Sequence, residues 1–393
     1  MKILLAHTFY RSSAPSGEDA VYLNERKLLE EHFDVVRFEK YNDDLDDSTL
    51  SKQVGLGLSG AWSKTTYQEL SILIEQTRPD LAHFHNTFPQ MTPSAWASCQ
   101  EQGVPVVQTL HNFRYICPAA LLQRDGKPCE DCIEGSIANA LKHRCYRNSI
   151  PATSAQIWTI VRNRWNGSFR NNVDRYIALT KFAASRLAAG GLPRDKIAIK
   201  PNFLLDTPAA GSGDGGYILY TGRLSEEKGI YTLLKAWQKI DSPITLKLAG
   251  DGPLRQQLEQ YCHTHQLNVE FLGFCSRERV LQLVSNALLQ VVPSEWYEGF
   301  PMVILEAYSC GTPVLASRIG SLNEIVQEGK TGFKFSVGDV DSLASSLRSI
   351  LSNLGTVKSM RTTVRQVFLE QYTAECNLKR TQRIYEQVVN NVR

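Results

Sequence analysis

Across its second half the sequence alternates short, mostly apolar runs with stretches of helical spacing, and this constrains the fold more than any other feature. The runs are 217–221, 244–249, 269–272, 288–292 and 313–316, and the helical stretches between them are 229–239, 254–265 and 276–287. Runs of this length and apolarity belong to strands covered on both faces, the condition of a parallel sheet wrapped by helices. The first half repeats the pattern more loosely, with runs at 2–6, 34–38, 79–85, 105–111, 174–179 and 197–200 and helical stretches at 20–31 and 181–189. A chain of 393 residues is too long for one core. Two domains are therefore expected, and the Pro-, Gly-, Ser- and Ala-rich stretch 207–216 marks a linker just after a boundary near residue 202.

Charge excludes one class of partner. A net charge of +3 gives no warrant for nucleic-acid binding. The distribution is less even: between Lys142 and Arg175 stand seven basic residues (Lys142, Arg144, Arg147, Arg162, Arg164, Arg170, Arg175) and one acid, Asp174. Within it, 152–169 carries Ile157, Ile160, Val161 and Trp165 at helical spacing. Such a basic amphipathic helix either packs on a domain core or makes peripheral contact with a membrane through 142–175. No run of eighteen apolar residues occurs, and 1–7 is too short for a signal peptide, so a cytoplasmic protein is expected, at most peripheral at the inner membrane face.

One βα junction carries much of the chemistry. After the run 288–292 come Ser294, Glu295, Trp296, Tyr297, Glu298, Gly299, Phe300 and Pro301, then a helical stretch that Gly311 can cap. Pro301 suits the first helical position, and Gly299 lets backbone approach a ligand. The free amides of such a helix start form a phosphate site. Glu306 follows Glu298 by eight residues, and lies roughly 7–8 Å along the helix from Pro301, one nucleotide segment further on. A carboxylate among Met302, Val303, Ile304, Leu305 and Ala307 needs a partner, either a neighbouring cation or a ribose. At a second junction Arg223 and Lys228, flanked by Gly222 and Gly229, offer a planar fork and a compact charge for phosphate oxygens.

In the first half, Ser16-Gly17 occupies the first βα turn, where a Rossmann-like unit approaches phosphate. His83 and His85 share a strand face and read as satisfied histidines rather than metal ligands. His111 ends the run 105–111, at the strand terminus where ligands collect, and Arg114 beyond it faces an anionic acceptor or solvent. No Asp-x-Asp metal motif stands near a strand end; Asp43-Asp44 and Asp46-Asp47 lie in a polar, solvated stretch.

These motifs resemble the family-4 retaining glycosyltransferases of GT-B architecture. Glu298 and Glu306 match that family's E-x7-E signature, and 222–229, 249–253, 271–274 and 320–325 look like its blocks in its order. The likeness covers most of the second half and is looser over the first, where Ser16-Gly17 replaces the family's usual Gly-Gly. It implies an α/β fold of two Rossmann-like domains facing a cleft. Residues 1–202 would form the acceptor side, with a Cys-rich insertion at 113–150; 203–373 would bind the donor; and a C-terminal helix, 374–393, would cross back onto the first domain. The implied activity is transfer of a hexose, with retention, from a nucleotide-diphosphate sugar to a hydroxyl of a glycan or lipid-linked acceptor, in polysaccharide or glycoconjugate synthesis. His111 and Glu298 then contact the transferred sugar as the catalytic-site pair. Gly17, Arg223, Lys228, Phe274, Gly299, Phe300, Pro301 and Glu306 bind the donor: Arg223 and Lys228 in place of a catalytic metal, Glu306 at the ribose, Phe274 beside the base. A hydrolase or epimerase of the same fold remains an alternative. So does a non-catalytic donor-binding protein, although such a protein should have lost one of Arg223, Lys228, Glu298 or Glu306.

Cys117, Cys129, Cys132 and Cys145 have the spacing C-x11-C-x2-C-x12-C. The central C-x2-C is a half-site for tetrahedral zinc, and the Gly126, Lys127, Pro128 and Gly135 around it could not build a core of their own. A structural zinc, disulfides and four unrelated thiols are the readings; nine cysteines, an odd number, in a reducing compartment weigh against disulfides.

Overall fold

The computed structural model describes residues 1–13, 16–45 and 62–392; Asp46 and Asp47 lie outside these. In chain order the strands are β1 Lys2–Phe9, β2 Asp34–Tyr41, β3 Leu81–Phe84, β4 Val106–Leu110, β5 Gln123–Arg124, β6 Lys127–Pro128, β7 Arg175–Ala178, β8 Ile197–Ile199, β9 Tyr217–Thr221, β10 Thr245–Ala249, β11 Val269–Gly273, β12 Leu289–Val292, β13 Val314–Ser317 and β14 Gly332–Phe335. Two compact units result. One comprises Met1–Leu122, Cys129–Leu205 and Asn377–Arg393, the other Asp206–Cys376 with Gln123–Pro128.

Each unit holds a six-stranded sheet, and the registered pairs in both are parallel. The second sheet runs β11-β10-β9-β12-β13-β14. Counted within its own unit, that is the 3-2-1-4-5-6 order of a doubly wound dinucleotide fold, with the strand order reversing between β9 and β12. The first sheet runs β2-β1-β3-β4-β7-β8 and reverses between β1 and β3. Ligands of such sheets bind beyond the carboxyl ends of the strands at the reversal, which singles out the loops after β9 and β12 in one unit and after β1 and β3 in the other.

Burial explains why these runs form strands. All four residues of β12 are buried, and its one polar side chain, Gln290, donates to Thr221 Oγ1 at 2.7 Å. Helix starts are marked by side chains that accept otherwise orphaned amides: Ser149 from Ala152, Ser276 from Arg279, Asp339 from Asp341 and Ser342. The second core gathers Ile218, Leu233, Leu246, Leu289, Leu315 and Leu343. In the first, Ile3, Leu5, Leu81, Val107 and Ile177 of the sheet pack with Ile384, Tyr385 and Val388 of the C-terminal helix Ala374–Val392. From Asn377 onward this helix belongs to the first unit, where Tyr385 Oη lies 2.6 Å from His83 Nδ1.

Two expectations change. The stretch read as one helix over 152–169 is Ile150–Trp165 followed by a short turn, Ser168–Asn171, because Gly167 takes the left-handed conformation (φ 74°) and ends the first helix. Its apolar residues do not share one face: Ile160 is buried, whereas Val161 and Trp165 are exposed. Pro301, expected at the first helical position, has ψ 117° and is the cap residue just before the helix Met302–Ser309.

Candidate active site

In the second unit three loops converge at the reversal of strand order. The loop after β9 leaves through Gly222, whose amide donates to Ala249 O at 3.0 Å, and Leu224 N donates to Asp251 O at 2.9 Å. It joins the loop after β12 through Glu295 N, which donates to Glu227 O at 2.9 Å. Gly229 sits at this junction with φ 67°, and a Cβ there would collide with the carbonyl oxygen of Pro293. Only glycine satisfies both the left-handed backbone and the close approach.

Lys228 and Glu298 are therefore held side by side. Lys228 Nζ donates to Glu298 Oε1 at 2.7 Å, and Ser294 Oγ donates to the same oxygen at 2.8 Å. Burial works against the charge of Glu298, but the ammonium of Lys228 and these hydrogen bonds outweigh it and hold the pKa below the ordinary carboxylate value. Lys228 also lies 5.1 Å over the ring of Trp296. Arg223 is exposed on the same loop as Lys228.

Phe300 is buried edge-on against Tyr372, ring centroids 5.9 Å apart. The helix that follows begins at Met302 with no side-chain cap; Ile304 N donates to Pro301 O at 3.1 Å, and the amides of Met302 and Val303 remain available. In its second turn stands Glu306. Among the described residues its carboxyl receives no hydrogen bond; burial pushes its pKa up to about 7, moderated only by the charge of Arg277. At the end of β11, Phe274 is 86% exposed.

The first unit has its own small, partly open pocket beyond β3 and β4, lined by Glu18, His85, His111, Asn112, Arg114 and Tyr115 among others. His111 Nε2 meets His85 Nδ1 at 2.9 Å, and burial, then the charge of His7, pushes its pKa down to about 3, so the ring is neutral. Glu18 accepts from Asn112 Nδ2 at 2.8 Å and Tyr10 Oη at 3.0 Å, and burial still pushes its pKa up. Arg114 lies 3.9 Å over the ring of Phe88, and its Nε and Nη1 are buried without a partner. Gly17 is exposed at the first position of the helix Gly17–Glu30, whose start is closed by a capping box of Ser16 and Asp19.

Family comparison decides what this arrangement belongs to. Residues 208–367 match the model for glycosyl transferases group 1, and residues 46–204 match that for glycosyltransferase family 4. The chain belongs to the family-4 glycosyltransferases, with the GT-B fold. An uncharacterized glycosyltransferase of Methanocaldococcus jannaschii is 35% identical over 44% of this chain, a match that spans 45% of that relative. A second from the same organism is 26% identical over 80% of this chain and 78% of its own length. Among solved structures, HepE of Anabaena in complex with UDP superimposes with a TM-score of 0.66 at 18% identity, covering 98% of this chain and all of that one.

In this glycosyltransferase the sequence missed several residues. Ser294 stands inside the motif and was open to view. Tyr10, Glu18 and Asn112 carry no local motif, and only the folded sheet collects them. Glu25, His83 and His85 are the group of ligand-type side chains that converges within 4.8 Å among the described residues. Both nitrogens of His83 are engaged, by Tyr385 Oη at 2.6 Å and Thr109 Oγ1 at 2.8 Å, and Glu25 is paired with the buried ammonium of Lys200. The cation beside Glu25 is thus a lysine, whereas His85 Nε2, 3.8 Å from Glu25, is buried without a hydrogen bond. The four thiols Cys117, Cys129, Cys132 and Cys145 do not form such a converging group among the described residues; burial first, then the charges of Cys117, Cys145 and Cys129, pushes the pKa of Cys132 up to about 12.

Proposed function

We infer that this glycosyltransferase moves a hexose from a nucleotide-diphosphate sugar to a hydroxyl of a glycan or lipid-linked acceptor, with retention at the anomeric carbon and without a catalytic metal. The observation that carries the donor is Glu306. A carboxyl in an apolar helix, one turn beyond uncapped amides and with no hydrogen bond of its own, is costly unless a ligand supplies two donors, as a ribose diol does. The amides at the helix start then lie where the diphosphate follows, and Arg223 and Lys228 supply its counter-charge. Phe274 offers an exposed ring for the base, and Glu298, fixed by Lys228 and Ser294, accepts from sugar hydroxyls.

On this reading the acceptor oxygen attacks the anomeric carbon on the face that the diphosphate leaves. The new C–O bond forms as the bond to the phosphate oxygen breaks, and the acceptor's proton passes to the departing diphosphate. Neutral His111 donates or accepts a hydrogen bond without carrying charge. The acceptor side is assigned to the first-unit pocket, where the unpartnered N–H groups of Arg114 suit an anionic acceptor.

A thermal-shift panel of UDP, GDP, ADP and their sugars tests the donor, since a ligand that binds only the folded chain raises its apparent stability. UDP is the first to try because HepE was solved with it. No shift with any nucleotide sugar overturns the reading, and turnover abolished by EDTA overturns its metal-free part.

We also propose that Cys117, Cys129, Cys132 and Cys145 close on one structural zinc. The site draws support from the C-x2-C spacing, from the effect of the other three thiols on Cys132, and from short elements, Asp131–Glu134 and Asn139–Lys142, too small to hold a loop by themselves.

A further inference from the structure

The helix Ile150–Trp165 is turned inside out. Its exposed residues are Ile150, Pro151, Ser154, Trp158, Val161 and Trp165. At about 100° per residue they fall within one arc of roughly 100°, and all but the serine are apolar. Trp165 is 87% exposed, Trp158 and Ile150 50% each. The face turned into the protein is mostly polar, with Thr153, Gln156 and Asn163 buried beside Ile160. Two of them have local partners: Tyr146 N donates to Thr153 Oγ1 at 3.0 Å, and Asn163 Nδ2 donates to Thr159 O at 2.7 Å, while Asn163 Oδ1 is buried without one. A surface helix normally shows the reverse arrangement. A contiguous apolar patch with two tryptophans is unfavourable in water and marks a face that something covers.

Charge decides what covers it. The helix contains no acid, and exposed basic residues stand at both ends: Lys142, Arg144 and Arg147 before it, Arg170 after it. A second copy docking by the same face would set these charges against their own kind. An anionic lipid surface matches both features, since tryptophan settles at the boundary between headgroups and acyl chains while arginine and lysine meet the headgroups. No helix among the described residues is long and apolar enough to cross a membrane, so the contact lies on the surface.

We propose that this face of the first unit docks on an anionic membrane, burying Ile150, Trp158, Val161 and Trp165 in the interface, with the basic residues at the helix ends against the headgroups. The proposal does not rest on the transfer reaction, and its failure leaves the donor chemistry untouched.

Flotation of the full chain with vesicles of phosphatidylcholine, with and without about one third phosphatidylglycerol, tests it. The chain should float with the anionic vesicles only, and less as salt rises. The variant W158S/W165S should lose at least about tenfold in partitioning with unchanged thermal unfolding, because both side chains are exposed. R144E/R147E should lose about fivefold or more per residue at low salt and little at high salt. Three results overturn the proposal: a folded chain that does not float, W158S/W165S floating like the parent, or binding to neutral vesicles alone. A dimer that W158S/W165S dissolves in sedimentation velocity, without vesicle binding, would instead make the face a contact between copies.

Discussion

Lys228 and Glu298, 70 positions apart in the chain, form a hydrogen-bonded ion pair of 2.7 Å across two neighbouring loops. The sequence assigned the lysine to the diphosphate and the glutamate to the sugar. The pairing makes them one unit: each fixes the other before any ligand arrives, which is the pre-organisation that charge stabilisation requires. On the proposed donor site, Lys228 is the cation beside the departing phosphate.

Replacing Lys228 by Ala should therefore do two things. It leaves Glu298 buried without its cation, costing about 1–3 kcal/mol of stability, and it lowers kcat/KM about 10²- to 10³-fold. Urea unfolding and donor turnover read the two effects separately. The double variant K228M/E298Q should recover most of the stability and none of the activity. If K228A unfolds like the parent, the pair contributes nothing to order in the loops.

Glu306 predicts a pH dependence. Its pKa in the fold is about 7, above the ordinary 4.5, so the fold favours the neutral form. The penalty for ionising it is absent below pH 4.5, grows as pH rises, and is complete above pH 7. Discounted for partial exposure, it is about 2 kcal/mol. Glu306→Gln should stabilise the unliganded chain by about that amount at pH 8 and not at pH 4, measured by denaturant unfolding. If the ribose diol binds the ionised form, the Kd for the nucleotide should rise about tenfold from pH 8 to pH 6, and this slope should vanish in E306Q. A pH-independent Kd in the parent would remove the ribose assignment.

The sheets were legible because their strands are buried on both faces, which leaves continuous apolar runs such as 288–292 in the sequence. The βα junctions that carry Arg223, Lys228, Glu298 and Glu306 were legible by spacing. Their contacts were not, since nothing local in the sequence ties residue 228 to 298. The facing of the helix Ile150–Trp165 was hidden for another reason. Helical spacing reveals a stripe but not which side the core will take, and here the core took Thr153, Gln156 and Asn163. The pocket of Glu18, Asn112 and Arg114 joins the start of the helix Gly17–Glu30 to the loop after β4; Arg114 stood out at its strand end, but nothing local in the sequence tied it to Glu18.

Phe274 gives a test free of folding effects. At 86% exposure its removal should leave unfolding unchanged. If it stacks on the base, Phe274→Ala should weaken nucleotide binding by about 1–3 kcal/mol, with Phe274→Trp close to the parent. Calorimetric titration of the two variants with UDP settles it, and equal affinity of F274A and parent would move the base elsewhere.

The four cysteines yield the last prediction. With its pKa near 12, Cys132 is a thiol at neutral pH, so a zinc ion must displace its proton along with those of any other protonated ligands. Zinc affinity should therefore climb steeply with pH between about 6 and 8, as expected when metal binding releases protons. Elemental analysis of chain purified without added metal should give about one zinc per chain, the occupancy of a closed four-thiolate site. Cys129→Ser with Cys132→Ser should abolish it and lower the melting temperature, while UDP binding survives because Arg223, Lys228 and Glu306 belong to the other unit. Cys99→Ser, buried in a helix of the same unit but outside the cluster, should keep the zinc. Metal-free chain in which all four thiols react freely with a thiol reagent would leave 113–150 ordered by packing alone, and the zinc would have to be given up.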